Sequence, residues 1–110
     1  MDILFVETPL FMQTRAEILP NDEEYRALQN DLLMNPEAGD PIPGTGGAIK
    51  IRARMAGRGK RGGARVIYGW FPARRRIYLF LVYPKSVSID LSEEGKKEMR
   101  ALMARFKRED

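Results

Sequence analysis

The sequence predicts one α+β domain of two layers, an antiparallel sheet with helices packed on one face. Three observations predict it. Two capped, amphipathic stretches occupy the first third of the chain. Three strand-like stretches then follow with short links, the pattern of an antiparallel meander. A last apolar stripe at helical spacing closes the order β-α-α-β-β-β-α. At 110 residues the length suits a single domain over residues 1–110, and no internal repeat or low-complexity tail divides it.

Ile3 to Val6 is a short apolar run of strand formers. Thr8 followed by Pro9 reads as a helix N-cap with proline at the first helical position, where its missing N–H costs nothing. Phe11, Arg15 and Ile18 carry the helix toward Pro20. Asn21 caps a second helix whose first turn holds Asp22, Glu23 and Glu24, favourable to the helix dipole. Tyr25, Leu28 and Leu32 form its inner stripe, and Asn35-Pro36 ends it. Residues 35–47, rich in proline and glycine, form a connection. From Ala48 to Met55 apolar and basic residues alternate, as in a half-buried strand. Residues 56–63 form a basic, glycine-rich loop, and strands follow over 65–71 and 77–83 around a turn at 72–75. Ser92 caps a last helix with Met99, Leu102, Met103 and Phe106 as its stripe.

The net charge of +4 hides an uneven distribution. Residues 1–40 hold two cations and nine acids. Residues 41–89 hold eleven cations and no acid. Cations without local partners repel one another, so a polyanion is the natural partner of this stretch, nucleic acid first. A solvated basic surface balanced by the acidic N-terminal third is the plainer alternative. The chain contains neither cysteine nor histidine, which excludes disulfides, thiolate metal sites and histidine-based triads. No apolar run approaches the roughly 20 residues of a membrane helix. Residues 1–9 lack the pattern of a signal peptide. A cytoplasmic protein without a membrane partner is therefore expected.

Four groups of residues can carry chemistry. Lys50, Arg52 and Arg54 alternate along a strand and share one face at about 6.6 Å intervals, a row able to track successive phosphates. Arg58, Lys60 and Arg61 sit in the Gly57–Gly63 loop, whose glycines let the backbone approach a ligand closely. That loop lacks the Ser or Thr that a phosphate-binding Walker motif requires after Gly-Lys. Arg65 and Lys85 lie at strand ends that an antiparallel meander brings to one edge, beside Arg54 and the loop. Arg74, Arg75 and Arg76 sit at the opposite end, as a secondary phosphate contact or a charged turn. Tyr68, Trp70 and Tyr83 are candidate base-stacking rings; Trp70 suits the core better, and Tyr83 is the best placed to stack.

From Phe5-Val6-Glu7 to the last helix, the chain resembles the RelE/HigB family of bacterial toxins, nearest its HigB-type branch. The likeness rests on the order and spacing of Glu23-Glu24-Tyr25-Arg26, Asn35-Pro36, Gly39-Asp40, Gly44-Thr45-Gly46-Gly47 and Gly59-Lys60-Arg61-Gly62-Gly63. The resemblance implies a small microbial ribonuclease-like domain. It also implies an endoribonuclease that cuts messenger RNA on the translating ribosome and is neutralised by a cognate antitoxin of the helix-turn-helix, HigA-like kind. The family's basic strand falls on Lys50, Arg52 and Arg54, its next-strand arginine on Arg65, and its basic residue after the last strand on Lys85. Where some members carry a catalytic tyrosine, this chain has Leu91.

The expected reaction uses no metal and no cofactor, because the basic segment supplies no carboxylate or imidazole ligand near the phosphate. The ribose 2′-hydroxyl would attack the adjacent phosphate. Lys50 would take its proton, Arg65 would hold the phosphate oxygens, and Lys85 would assist the leaving group. Arg52, Arg54 and the loop cations would bind RNA. A basic module that blocks RNA or the ribosome without cutting is the competing expectation. A DNA-binding regulator is the weaker third, since the cations sit on strands and a loop and not on a helix-turn-helix.

Overall fold

A computed structural model describes residues 2–54, 63–87 and 92–110. The elements follow in the order β1 (Leu4–Glu7), α1 (Pro9–Ile18), α2 (Asp22–Met34), β2 (Asp40–Pro41), β3 (Ile49–Ala53), β4 (Ala64–Phe71), β5 (Arg76–Pro84) and α3 (Glu93–Glu109). All five strands join one sheet in the order β1-β5-β4-β3-β2.

The helices begin where their capping residues stand. The Thr8 side chain accepts from the Phe11 N–H at 3.1 Å, that of Asn21 from Glu24 at 3.0 Å, and that of Ser92 from Gly95 at 3.1 Å. Each satisfies one of the amides a helix leaves unpaired at its start. The Thr8 hydroxyl also donates to the Phe80 carbonyl at 3.1 Å, and the Val82 N–H donates to the Thr14 hydroxyl at 3.0 Å. β1 pairs with β5 only as far as Leu79, so α1 takes over the edge of β5 that β1 leaves bare.

The meander of β3, β4 and β5 is antiparallel, as expected. Three features differ from the sequence reading. β1 joins β5 in parallel, so the sheet is mixed. Asp40–Pro41, read as part of a connection, adds a short antiparallel edge strand to β3. The helices also do not share one face. α1 and α2 cover Ile49, Ala53, Val66, Tyr68, Ile77 and Leu79. α3 covers the opposite face, where Met99 and Met103 meet Ala48, Ile67, Phe71, Tyr78 and Phe80. The physical reason is that β4 and β5 are apolar at nearly every position, so both faces must be buried. Leu102, counted in the α3 stripe, is 39% exposed, while Phe106 stacks on Tyr78 with ring centroids 4.0 Å apart.

α3 is fixed at its C-terminal end and near its middle. The Asp110 carboxylate accepts from the backbone N–H groups of Ala73 and Arg74 at 3.2 and 2.8 Å, and Arg74 donates to the Glu109 carbonyl. Nearer its start, Arg100 donates to the Gly44 carbonyl. The Gly44–Gly47 turn needs its glycines, since Gly44, Gly46 and Gly47 have φ of 80°, 73° and 107°. The buried Thr45 hydroxyl closes that turn by donating to Ile42 and accepting from Ala48. This motif therefore seats α3 on the sheet.

Under α2, the Tyr25 hydroxyl donates to the Glu7 carboxylate, with the Arg15 guanidinium 4.0 Å above the ring. Burial first, then this bond, pushes the Tyr25 phenol well above its usual range. An acid whose pKa rises on folding stabilises the fold fully below the unfolded value near pH 10, and loses that contribution as pH climbs past it. Tyr25→Phe is expected to cost about 1–3 kcal/mol at neutral pH. It should also flatten the fall in melting temperature between about pH 10 and 11. Thermal unfolding of both proteins across that range checks both expectations.

Candidate nucleic-acid interface

The alternation of β3 decides which side chains meet a ligand. Ile49, Ile51 and Ala53 turn toward α1 and α2, so Lys50 and Arg52 stand on the opposite face. On β4, Ala64 and Val66 belong to the α1/α2 side, which places Arg65 on the same face as Lys50. The register completes the group. Arg52 is the cross-strand partner of Arg65, and Arg65 of Tyr83. The Lys85 N–H donates to the Gly63 carbonyl at 2.9 Å, which continues that ladder one step past the strands.

Arg52, Arg65, Tyr83 and Lys85 are thus gathered at one end of three neighbouring strands. Arg54 follows β3 at that end and is exposed. Lys50 lies two residues further back along β3, about 6.6 Å from Arg52. Lys50, Arg65 and Lys85 are half-buried and Arg52 is exposed. Arg58, Lys60 and Arg61, and the Leu91 position, lie outside the described residues.

Tyr83 does not fill the role expected of it. Only 9% of it is exposed, and its ring packs in the apolar cluster with Met99 and Ile67. Burial raises its phenol pKa and the neighbouring Arg65 charge pulls it back down. It is a buttress beside Arg65, with little ring face left for a base. Tyr68, also considered for stacking, is fully buried and donates to the Pro36 carbonyl at 2.8 Å. Trp70 packs against the core under α1 and α2, as expected.

The arginines of the β4–β5 turn lie at the far end of the sheet. Arg74 is engaged with the end of α3, and Arg75 lies 6.0 Å from the Trp70 ring centre with φ of 53°. For these two the charged-turn reading accounts for what they touch.

Sequence reasoning missed Asp40. It stands directly across from Lys50 in the β2–β3 pair. The Gly39-Asp40 dipeptide carried a signal only as a motif, because a strand of two residues is too short to show alternation.

A row of cations on a rigid sheet can hold phosphate oxygens and stabilise charge that builds on them. If Arg54 binds phosphate without reacting, Arg54→Ala weakens RNA binding roughly evenly across sequences. It should also lower the slope of log affinity against log salt by about 0.7, the value for one contact to a single strand. Titrations at several salt concentrations measure that slope.

No protein-family model matches the chain. Among solved structures, it is similar to a mutant of the E. coli toxin RelE in the free state. The TM-score is 0.57 at 14% identity, covering 80% of this chain and 88% of that one. It is also similar to a chain of the archaeal RelE–RelB complex from Pyrococcus horikoshii, with a TM-score of 0.52 at 18% identity, covering 80% and 100% of the two chains. The chain therefore has the α+β fold of the RelE toxins.

Proposed function

We propose that this protein is the toxin of a bacterial toxin–antitoxin pair, a ribosome-dependent endoribonuclease that cuts messenger RNA and so arrests translation. The observation that carries the reading is the convergence of Arg52, Arg65 and Lys85 from three adjacent strands, with Lys50 beside them, on a RelE-type fold. Order and spacing of the motifs favour the HigB-type branch. The similarity to a chain of a RelE–RelB complex supports a protein antitoxin as partner, and we assign it the helix-turn-helix, HigA-like kind. Ribosome and mRNA are the other partners, and the bacterial cytoplasm is the place of action.

In the proposed reaction the 2′-oxygen attacks the neighbouring phosphorus and the bond from phosphorus to the 5′-oxygen breaks. Lys50 takes the proton of the 2′-hydroxyl. Arg65 binds the non-bridging oxygens, a planar two-point contact that suits guanidinium. Lys85 gives a proton to the departing 5′-oxygen. The products are a 2′,3′-cyclic phosphate and a 5′-hydroxyl. Arg52 and Arg54 bind the flanking phosphates, and Arg58, Lys60 and Arg61 extend the RNA contact from the loop.

End-group analysis of transcripts cut after induction in cells tests the chemistry. Cyclic phosphate and 5′-hydroxyl ends, formed with EDTA present, are expected. Ends bearing 3′-hydroxyls, or a requirement for Mg²⁺, would contradict it. Arrested translation with uncut mRNA would favour a non-catalytic ribosome-binding inhibitor.

A further inference from the structure

The two edges of the sheet are finished differently. The β2 edge is two residues long and consists of Asp40 and Pro41, and the cations of β3 stand just past it. Short length, charge and proline all discourage pairing with another strand. The β1 edge carries none of these before Glu7. Its residues are Leu4, Phe5 and Val6, and Leu4 is 55% exposed.

Two hydrogen bonds fix which backbone groups of β1 face its neighbour. The Leu4 N–H donates to the Arg75 carbonyl at 3.0 Å, and the Thr8 N–H to the Leu79 carbonyl at 3.2 Å. Successive residues of a strand direct their N–H and C=O groups to opposite sides. Leu4, Val6 and Thr8 therefore face β5, and Ile3, Phe5 and Glu7 face outward. The outward groups have no backbone partner among the described residues. Such an edge is a template for one more strand.

The sequence of β1 says which strand fits. With a second β1 laid antiparallel and the two Phe5 residues opposite each other, Phe5 exchanges both its hydrogen bonds with Phe5 of the partner subunit. Ile3 then pairs with Glu7 of the partner subunit, and Glu7 with Ile3 of the partner subunit. Every outward group is met, because the outward set reads the same under a two-fold axis. The side chains agree. Leu4 falls opposite Val6 of the partner subunit on the face that α3 covers, an apolar cross-strand pair. Glu7 meets an isoleucine, so no like charges are opposed. The same operation at β3 would set its cations against each other.

We propose that two copies of this chain pair through β1, antiparallel about Phe5, and join their sheets into one. In the order β1-β5-β4-β3-β2 the basic row of β3 lies three strands from that edge, so both copies keep it open. The paired edge is short, so the dimer is weak and forms only as concentration rises.

The test is sedimentation equilibrium of the purified protein from about 1 to 300 µM, with amide hydrogen exchange measured at both ends of that range. A dimer that grows with concentration is expected, with slower exchange at Phe5 and Glu7 as it forms. Leu4→Lys places a charge on an exposed position of the edge. It should leave the circular dichroism unchanged and weaken the dimer about tenfold or more, since both Leu4–Val6 pairs are lost together. A protein that stays monomeric throughout, a dimer that Leu4→Lys leaves intact, or a dimer in which Phe5 and Glu7 exchange as fast as in the monomer would overturn the proposal. Protection of Phe5 that appears only on adding the proposed antitoxin would assign the edge to that partner and overturn it as well.

Discussion

Arg65→Ala is expected to lower the proposed ribosome-dependent mRNA cleavage by about 10²- to 10³-fold, the usual loss when one group that stabilises transition-state charge is removed. The fold survives, because Arg65 is half-buried and no core cluster depends on it. Its place explains the size of the effect. It sits on the central strand of the basic face, with Arg52 on one side and the packed Tyr83 ring on the other. The Arg65 charge is close enough to Tyr83 to act on its phenol. Arg65→Lys keeps the charge and loses the planar two-point contact, and should recover only part of the rate. Single-turnover rates for the three proteins, with circular dichroism to establish folding, check the expectation.

Tyr68→Ala has the largest expected effect on stability, about 3–5 kcal/mol, from lost burial plus the cavity left between β4 and the two N-terminal helices. For a domain of this size each 1 kcal/mol moves the melting temperature by about 4–8 °C. Tyr68→Phe isolates the hydroxyl. That group donates to the Pro36 carbonyl at 2.8 Å and accepts from the Gly39 N–H at 3.4 Å. Its loss should cost about 1–3 kcal/mol by leaving the Pro36 carbonyl without this partner. Because Pro36 and Gly39 precede Asp40, the phenylalanine variant should also loosen the β2–β3 pairing, seen as faster amide exchange at Ile42. Unfolding curves and hydrogen exchange measure the two effects separately.

The elements were legible where local chemistry fixes them. Thr8, Asn21 and Ser92 start their helices, and the Lys50-Arg52 alternation marks β3 and the face its cations take, while Arg54 falls just past the strand. The Arg65–Lys85 convergence followed from the meander alone. What escaped the sequence depends on three-dimensional arrangement. The parallel pairing of β1 with β5 joins segments some 70 residues apart, and no local pattern encodes it. α3 takes the second face because β4 and β5 are apolar at nearly every position, a signal present in the sequence but read as a one-faced sheet. Tyr83 looked like a stacking residue because it stands beside Lys85, whereas its ring is buried in the apolar cluster that holds Met99 and Met103. The Asp40–Lys50 register was not legible because β2 spans only two residues.

We propose that this small basic face cuts RNA only when the ribosome positions the substrate, as expected of a site whose described cations lack a strong general base. The direct measurement is primer extension on one mRNA, incubated with the purified protein either free or in a translating extract. Discrete cuts in the translating sample, little or no cutting of the free transcript, and loss of the cuts with Arg65→Ala are expected. Equal cleavage of free and translated RNA, or undiminished cleavage by Arg65→Ala, would contradict it.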